Sequence, residues 1–170
     1  DITTLGRTAA DFEETAVPSN GGDWRMAWHP PGAVPPGLPH GANAFCVAAG
    51  GEVVLISTDG ARWGWPGGRP EAGESWEDTL RREVLEEACA TVAEARLLGF
   101  VKSRCLSGAE AGRVLVRSIW RAEVRLRPWA PEFEIPFRKV VPVRELAEQL
   151  WMEDGAEPIY SRAAREAGIA

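Results

Sequence analysis

The feature that most constrains this chain is a helix with too much like charge on one face. Trp76, Leu80, Val84 and Ala88 recur every four residues and form an apolar stripe, which predicts a helix over 75–90. Ser75 suits the N-cap, and Asp78 three residues later completes a capping-box pattern. On that helix Glu83, Glu86 and Glu87 stand at i, i+3 and i+4, so the three carboxylates share a face. Like charges at these spacings cost a helix roughly 0.2–0.5 kcal/mol per pair. A hard divalent cation, whose preferred ligands are carboxylate oxygens, would offset that repulsion. Arg82 can pair with one carboxylate and orient it. Charge runs on helices are usually solvated faces; here the loop ahead of the helix argues otherwise. Pro66-Gly67-Gly68 lets the backbone approach a metal or a phosphate closely. The helix N-terminus beside it favours negative groups, Glu74 among them.

The flanking sequence supplies strands. Ala44 to Ala49 and Val53 to Ser57 are short β-type runs joined by a Gly50-Gly51 hairpin turn. Val92 to Val101 and Arg113 to Leu126 read as longer strands, and Val143 to Trp151 and Ile159 to Ala167 as helices. Pro128, Pro131 and Pro136 interrupt regularity between the last strand and these helices. The order β-β-α-β-β-α-α is that of a mixed α/β (α+β) layered domain. Residues 17–42 are rich in Pro and Gly. Residues 1–42 are therefore expected to be an irregular lead-in, with at most one short strand near Trp24 to Trp28, packed on a domain of residues 43–170.

Bulk properties exclude several classes. A chain of 170 residues suits one domain with a full core. Three scattered cysteines, Cys46, Cys89 and Cys105, with no CxxC pair argue against a disulfide framework and a zinc site, so a reducing cytoplasm is the expected setting. No apolar run reaches the length of a membrane span and no signal-peptide pattern is seen. The chain starts at Asp1 without a Met, and further N-terminal residues are expected to precede it. A net charge of −6 disfavours nonspecific binding to long nucleic acids. A small phosphorylated substrate remains compatible where metal ions neutralise it locally.

Read together, Gly68-x5-Glu74-x7-Arg82-Glu83-Val84-x-Glu86-Glu87 resembles the Nudix box, and Trp63 to Gly68 resembles the lead-in common in that family. Six fixed positions at ordinary residue frequencies match by chance on the order of one time in 10⁴ to 10⁵ over such a chain. One departure stands out: Cys89 occupies the place of the usual glycine, and Ala90 that of a bulkier apolar residue. A glycine there would suit a left-handed helix cap. Cys89 implies that the helix ends differently or that its thiol packs inward.

The resemblance implies a Nudix fold, a mixed sheet sandwiched between helices. It implies hydrolysis of a diphosphate linkage in a nucleoside di- or triphosphate or a nucleoside diphosphate derivative. The implied cofactor is Mg2+, with Mn2+ able to replace it. Glu83 and Glu87 are the implied direct metal ligands and Glu86 a further or water-held one, with a backbone oxygen of Gly67 or Gly68. Arg82 would orient a glutamate, and Glu74 would brace the loop–helix junction. Members of the family often draw a further glutamate from a late loop, which makes Glu132 and Glu134 candidates for the base. The partner is a small nucleotide-type molecule, with no long nucleic acid and no membrane; a homodimer is compatible with the family.

The remaining residues carry weaker readings. Among eight tryptophans, Trp24, Trp28 and Trp65 could stack a nucleobase, though Trp more often packs in a core. His29 and His40 read as exposed loop residues. Arg117, Arg121, Arg125 and Arg127 recur at even spacing and would share one strand face. That face could bind phosphate, but a solvated sheet edge is the plainer reading. Two rivals stand beside the hydrolase: a noncatalytic Nudix-fold module that binds a nucleotide and regulates a partner, and a prenyl-diphosphate isomerase on the same fold. The intact box carboxylates argue against both.

Overall fold

The computed structural model describes residues 6–133 and 135–169. Among them eight strands form one mixed sheet: β1 (Glu14–Ser19), β2 (Gly22–His29), β3 (Leu38–Val47), β4 (Val53–Ser57), β5 (Gly67–Gly68), β6 (Ala90–Ser107), β7 (Val114–Leu126) and β8 (Phe137–Val141). They lie in the order β1-β2-β6-β7-β3-β4-β8, with β5 paired to β3. The β3–β7 pair is parallel, and the other named pairs are antiparallel. The helices are α1 (Trp76–Ala88), a four-residue α2 (Leu146–Gln149) and α3 (Glu157–Glu166).

Strand alternation divides the core between two faces of the sheet. Ala44 and Cys46 of β3, with Trp120, Ala122 and Val124 of β7, face Leu80, Val84 and Ala88 of α1. Their neighbours in sequence, Phe45, Val47 and Ile119, point the other way and pack with Ile159, Ala163 and Ala164 of α3. The stripe read from the sequence is thus the buried side of α1, and its charged side faces outward. Ser75 caps α1 as expected: the Asp78 N–H donates to Ser75 Oγ at 3.1 Å and the Ser75 N–H to Asp78 Oδ2 at 3.1 Å.

Four expectations need correction. Residues 14–29 are not irregular but a β-hairpin that joins the main sheet through β6. Its turn, Asn20-Gly21, has positive φ at both residues (49° and 72°), as a two-residue hairpin loop of this hand requires. The proline-rich stretch also gives way to a strand: β8 pairs along β4 at the sheet edge, where flanking prolines remove no internal hydrogen bond. The helix expected over Val143 to Trp151 is broken into a 3-10 turn and the short α2. The Trp151 N–H donates to the Trp63 carbonyl at 2.8 Å, which draws the chain out of helical register. Finally, β7 is interior, between β6 and β3, so the arginines at 117, 121 and 125 do not lie on a sheet edge.

The end of α1 shows what Cys89 does. It takes the left-handed conformation itself, with φ 49° and ψ 48°, so the helix ends as it would with glycine. The thiol does not pack inward; Cys89 is half-buried, and its Sγ lies 3.5 Å from the Ala130 carbonyl. A non-glycine residue there carries roughly 1–2 kcal/mol of strain. Arg138 of β8 closes the same end, donating from Nη1 to the carbonyls of Ala88 at 2.9 Å and Cys89 at 3.2 Å.

Candidate active site

The loop and the helix meet at β5. Its two residues pair with Ala42 and Asn43 of β3, which fixes the glycines in front of α1. A Cβ on Gly68 would stand 2.5 Å from the Glu83 carboxylate carbon, so only glycine allows this approach. The Gly67 N–H donates to Glu87 Oε1 at 2.8 Å. Glu83 and Glu87, one turn apart on α1, are therefore both seated on the glycine backbone.

Arg82 ties the acidic groups together. Its guanidinium grips Glu74 through two bonds, Nε to Oε2 at 2.7 Å and Nη2 to Oε1 at 2.9 Å. Nη1 donates to Glu83 Oε1 at 2.8 Å and lies 3.3 Å from Glu86 Oε2, and Nη2 reaches the Arg69 carbonyl at 3.0 Å. Glu74 also accepts from the Glu71 N–H at 2.7 Å and from Thr79 Oγ1 at 3.1 Å. These bonds, Arg82 first, hold the Glu74 carboxyl at about 2, far below its ordinary value, and raise the pKa of Arg82 above its own. The like-charge repulsion expected on this face is thus partly absorbed by one guanidinium.

The donor set is one of hard oxygens, which suits a divalent cation. Among the described residues, however, no three His, Cys, Asp or Glu side chains are arranged to hold a metal ion. In these rotamers the carboxylates face Arg82 and the Gly67 N–H, and a metal would draw them together.

Two cavities flank this junction. One, of about 580 Å³, runs beside α1 and is lined by Arg82, Leu85, Glu86, Cys89, Glu132 and Phe133 among others. It places Glu132 on the same hollow as Glu86; Glu134 lies outside the described residues. The other, of about 170 Å³, lies on the sheet face opposite α1. Its wall includes Trp24 and Met26 of β2, His40 of β3, Arg69 just past β5, Leu115 and Arg117 of β7, and Glu110 and Glu153 from loops. Burial first, and then the charges of Arg117 and Arg69, push the His40 imidazole down to about 4. Arg117 keeps surface open to solvent yet sits deep in the concavity, and its pKa is lowered by that desolvation.

The tryptophans divide accordingly. Trp28 is fully buried beneath Gly99 and Arg162, with no face open to a base, so it does not stack a substrate. Trp65 is half-buried between Phe45 and Tyr160, with ring centroids at 5.0 and 4.8 Å, and it serves the core. Trp24, also buried, lines the smaller cavity. His40 is likewise not an exposed loop residue but a half-buried strand residue on that cavity's wall. Arg69 was not singled out from the sequence; its position directly after the glycine pair was the available signal.

Comparison with known proteins decides the family. The NUDIX domain model matches residues 37–163, well over half of the chain. The chain belongs to the Nudix family. Nudix membership places it among hydrolases acting on acid anhydrides. Solved Nudix structures share the fold. The Bacillus subtilis pyrophosphohydrolase BsRppH is 22% identical, with a TM-score of 0.66 over 92% of this chain and 98% of its own. A Nudix hydrolase from Nitrosomonas europaea is 20% identical, with a TM-score of 0.59 over 79% of this chain and 90% of its own. MutT, studied from Aliivibrio salmonicida and Vibrio cholerae, is 20% identical with a TM-score of 0.54, covering 74% of this chain and 94% of its own. Among curated proteins none matches the chain. No helix among the described residues is long and apolar enough to cross a membrane.

Proposed function

We propose that this Nudix protein hydrolyses a diphosphate linkage in a small nucleotide-type molecule, a nucleoside di- or triphosphate or a nucleoside diphosphate derivative, with magnesium as cofactor and manganese as its substitute. The observation that carries this reading is the seating of Glu83 and Glu87 on the Gly67-Gly68 backbone, a contact that a single Cβ at Gly68 would prevent. Glu83 and Glu87 would hold the metal, with Glu86 as a further or water-held ligand and a carbonyl of Gly67 or Gly68 alongside. Magnesium at such oxygens neutralises phosphate charge and acidifies water.

The chain's own groups do the rest. Arg82 fixes the Glu83 carboxylate and keeps Glu86 within reach, while Glu74 holds Arg82 in place from the other side. Glu132, on the loop beside α1, Glu134 or a box glutamate would take the proton from the attacking water. Glu132 shares a cavity with Glu86, which supports its candidacy.

The test is a panel of nucleoside di- and triphosphates, oxidised dGTP, ADP-ribose, nucleotide sugars, NADH and dinucleoside polyphosphates, each with magnesium. Turnover of a member that requires the metal and collapses in Glu86→Gln and Glu87→Gln is the expected result. Tight binding without turnover of any member would favour the regulatory module instead.

A further inference from the structure

We infer that the cavity lined by His40, Arg69 and Arg117 binds a phosphoryl group of the substrate that lies beyond the scissile linkage. Which molecule brings that group rests on the hydrolase reading above; the anion site itself does not.

The chain is acidic, at −6 overall, yet two arginines from separate segments, Arg69 just past β5 and Arg117 of β7, converge in this one hollow beside a neutral His40. Their partnering sets them apart. Arg121, two positions along the same face of β7, donates to Glu123 at 2.7 Å and to the Ala167 carbonyl at 2.7 Å. Among the described residues, no ion pair or hydrogen bond holds the Arg69 or the Arg117 guanidinium. Neither of the cavity's two carboxylates makes an ion pair with them. Glu110 is tied to Arg113, and Glu153 stands on a rim shared with a neighbouring hollow beside Trp151 and Asp154. Arg117 thus projects from an interior strand into the hollow with solvent access and no bonded counter-ion among the described residues; desolvation is the largest influence on its pKa, with Tyr160 and Glu153 acting on it only through space. An anion between two guanidiniums would supply the missing partner, and their forked donors match phosphoryl oxygens.

The hollow also adjoins the metal cradle. Gly68 faces Glu83 on the α1 side, and the next residue, Arg69, lines the cavity on the other. A Cβ at Gly41 would lie 3.4 Å from Arg117 Cγ and 3.5 Å from the Gly68 carbonyl oxygen, so the two sites share a wall one strand thick. A molecule whose diphosphate lies at the cradle can place a further phosphoryl group in the cavity. Either a nucleoside triphosphate tail or a phosphate on a ribose would provide it; a nucleotide sugar with a neutral sugar would not.

The experiment has two arms. In EDTA, inorganic phosphate is titrated into the full chain by calorimetry, so that the acidic cradle holds no metal to recruit it. Wild type binds, Arg117→Gln and Arg69→Gln weaken binding by at least about tenfold, and Arg117→Lys, which keeps the charge but loses the fork, falls between wild type and Arg117→Gln. Equal binding by wild type and Arg117→Gln, or no binding by wild type, overturns the inference. Thermal midpoints identify a misfolded variant, and Arg69→Gln, at an exposed loop position, then carries the comparison. In the second arm, with magnesium, Arg117→Gln raises KM at least about tenfold for substrates with the extra phosphoryl group, with kcat little changed. Nucleoside triphosphate against diphosphate, and ADP-ribose against its 2′-phosphate, distinguish the two sources of that group. An unchanged KM on every substrate overturns the inference while leaving the hydrolase reading intact. Charge-dependent phosphate binding with no turnover of any substrate does the reverse.

Discussion

The acidic junction at α1 and the basic hollow behind β5 are built on opposite rules. At the junction the box charges are partnered within one short stretch of chain: Arg82 holds Glu74, Glu83 and Glu86, and the Gly67 N–H, twenty residues away, holds Glu87. In the hollow, Arg69 and Arg117 come from distant segments and line one cavity with no ion pair or hydrogen bond to either guanidinium among the described residues. The first arrangement is internally satisfied, and a bound metal would have to draw its carboxylates away from Arg82 and the Gly67 N–H. The second keeps charge in reserve. On our proposals, hydrolysis belongs to the satisfied site and substrate choice to the unsatisfied one.

The sharpest way to break this division is Arg82→Lys. An ammonium cannot reproduce the two bonds to Glu74 while also reaching Glu83. We expect turnover of the best panel substrate to fall roughly 10–100-fold with phosphate affinity in EDTA unchanged. A parallel loss of phosphate binding would show that the two regions are one site. Acid unfolding gives a smaller effect. Because Glu74 is held at about 2 against an ordinary 4.5, its grip on Arg82 contributes stability in full above the ordinary value and loses it as pH falls towards about 2. Urea midpoints of wild type and Glu74→Gln should therefore differ most near neutral pH and converge below that window. A gap that persists unchanged in acid would contradict the assignment. The smallest effect is expected from Cys89→Gly, which relieves a left-handed cysteine. It should stabilise by up to about 1 kcal/mol, raising Tm by roughly 2–4 °C in a scanning measurement, with catalysis unaltered. A lower Tm would mean that the thiol contact with Ala130 matters more than the strain.

The same contrast explains what could be read from sequence. The junction was legible because its parts are contiguous: the cap at Ser75, the stripe from Trp76 to Ala88 and the carboxylates at fixed offsets all follow from helical geometry. The hollow was not, because its wall is drawn from β1, β2, β3, β6, β7 and four connecting segments, and no local spacing announces that His40, Arg69 and Arg117 will line one cavity. Arg117 was noticed as one of a series, but whether its strand lay at an edge depended on β3 pairing parallel to β7. The N-terminal hairpin is different, since Asn20-Gly21 is a local signal that the surrounding Pro and Gly obscured. Trp28 shows the limit of composition: aromatic character was visible, but its complete burial followed from packing against Gly99 and α3.

The central claim is that the carboxylates at the glycine junction hold a divalent metal, and the most direct test is Mn2+ binding followed by electron paramagnetic resonance. Wild type and Arg117→Gln should bind Mn2+ equally well, while Glu83→Gln and Glu87→Gln should bind it at least about tenfold more weakly. Equal affinity in all four proteins, or no binding by wild type, would contradict the account.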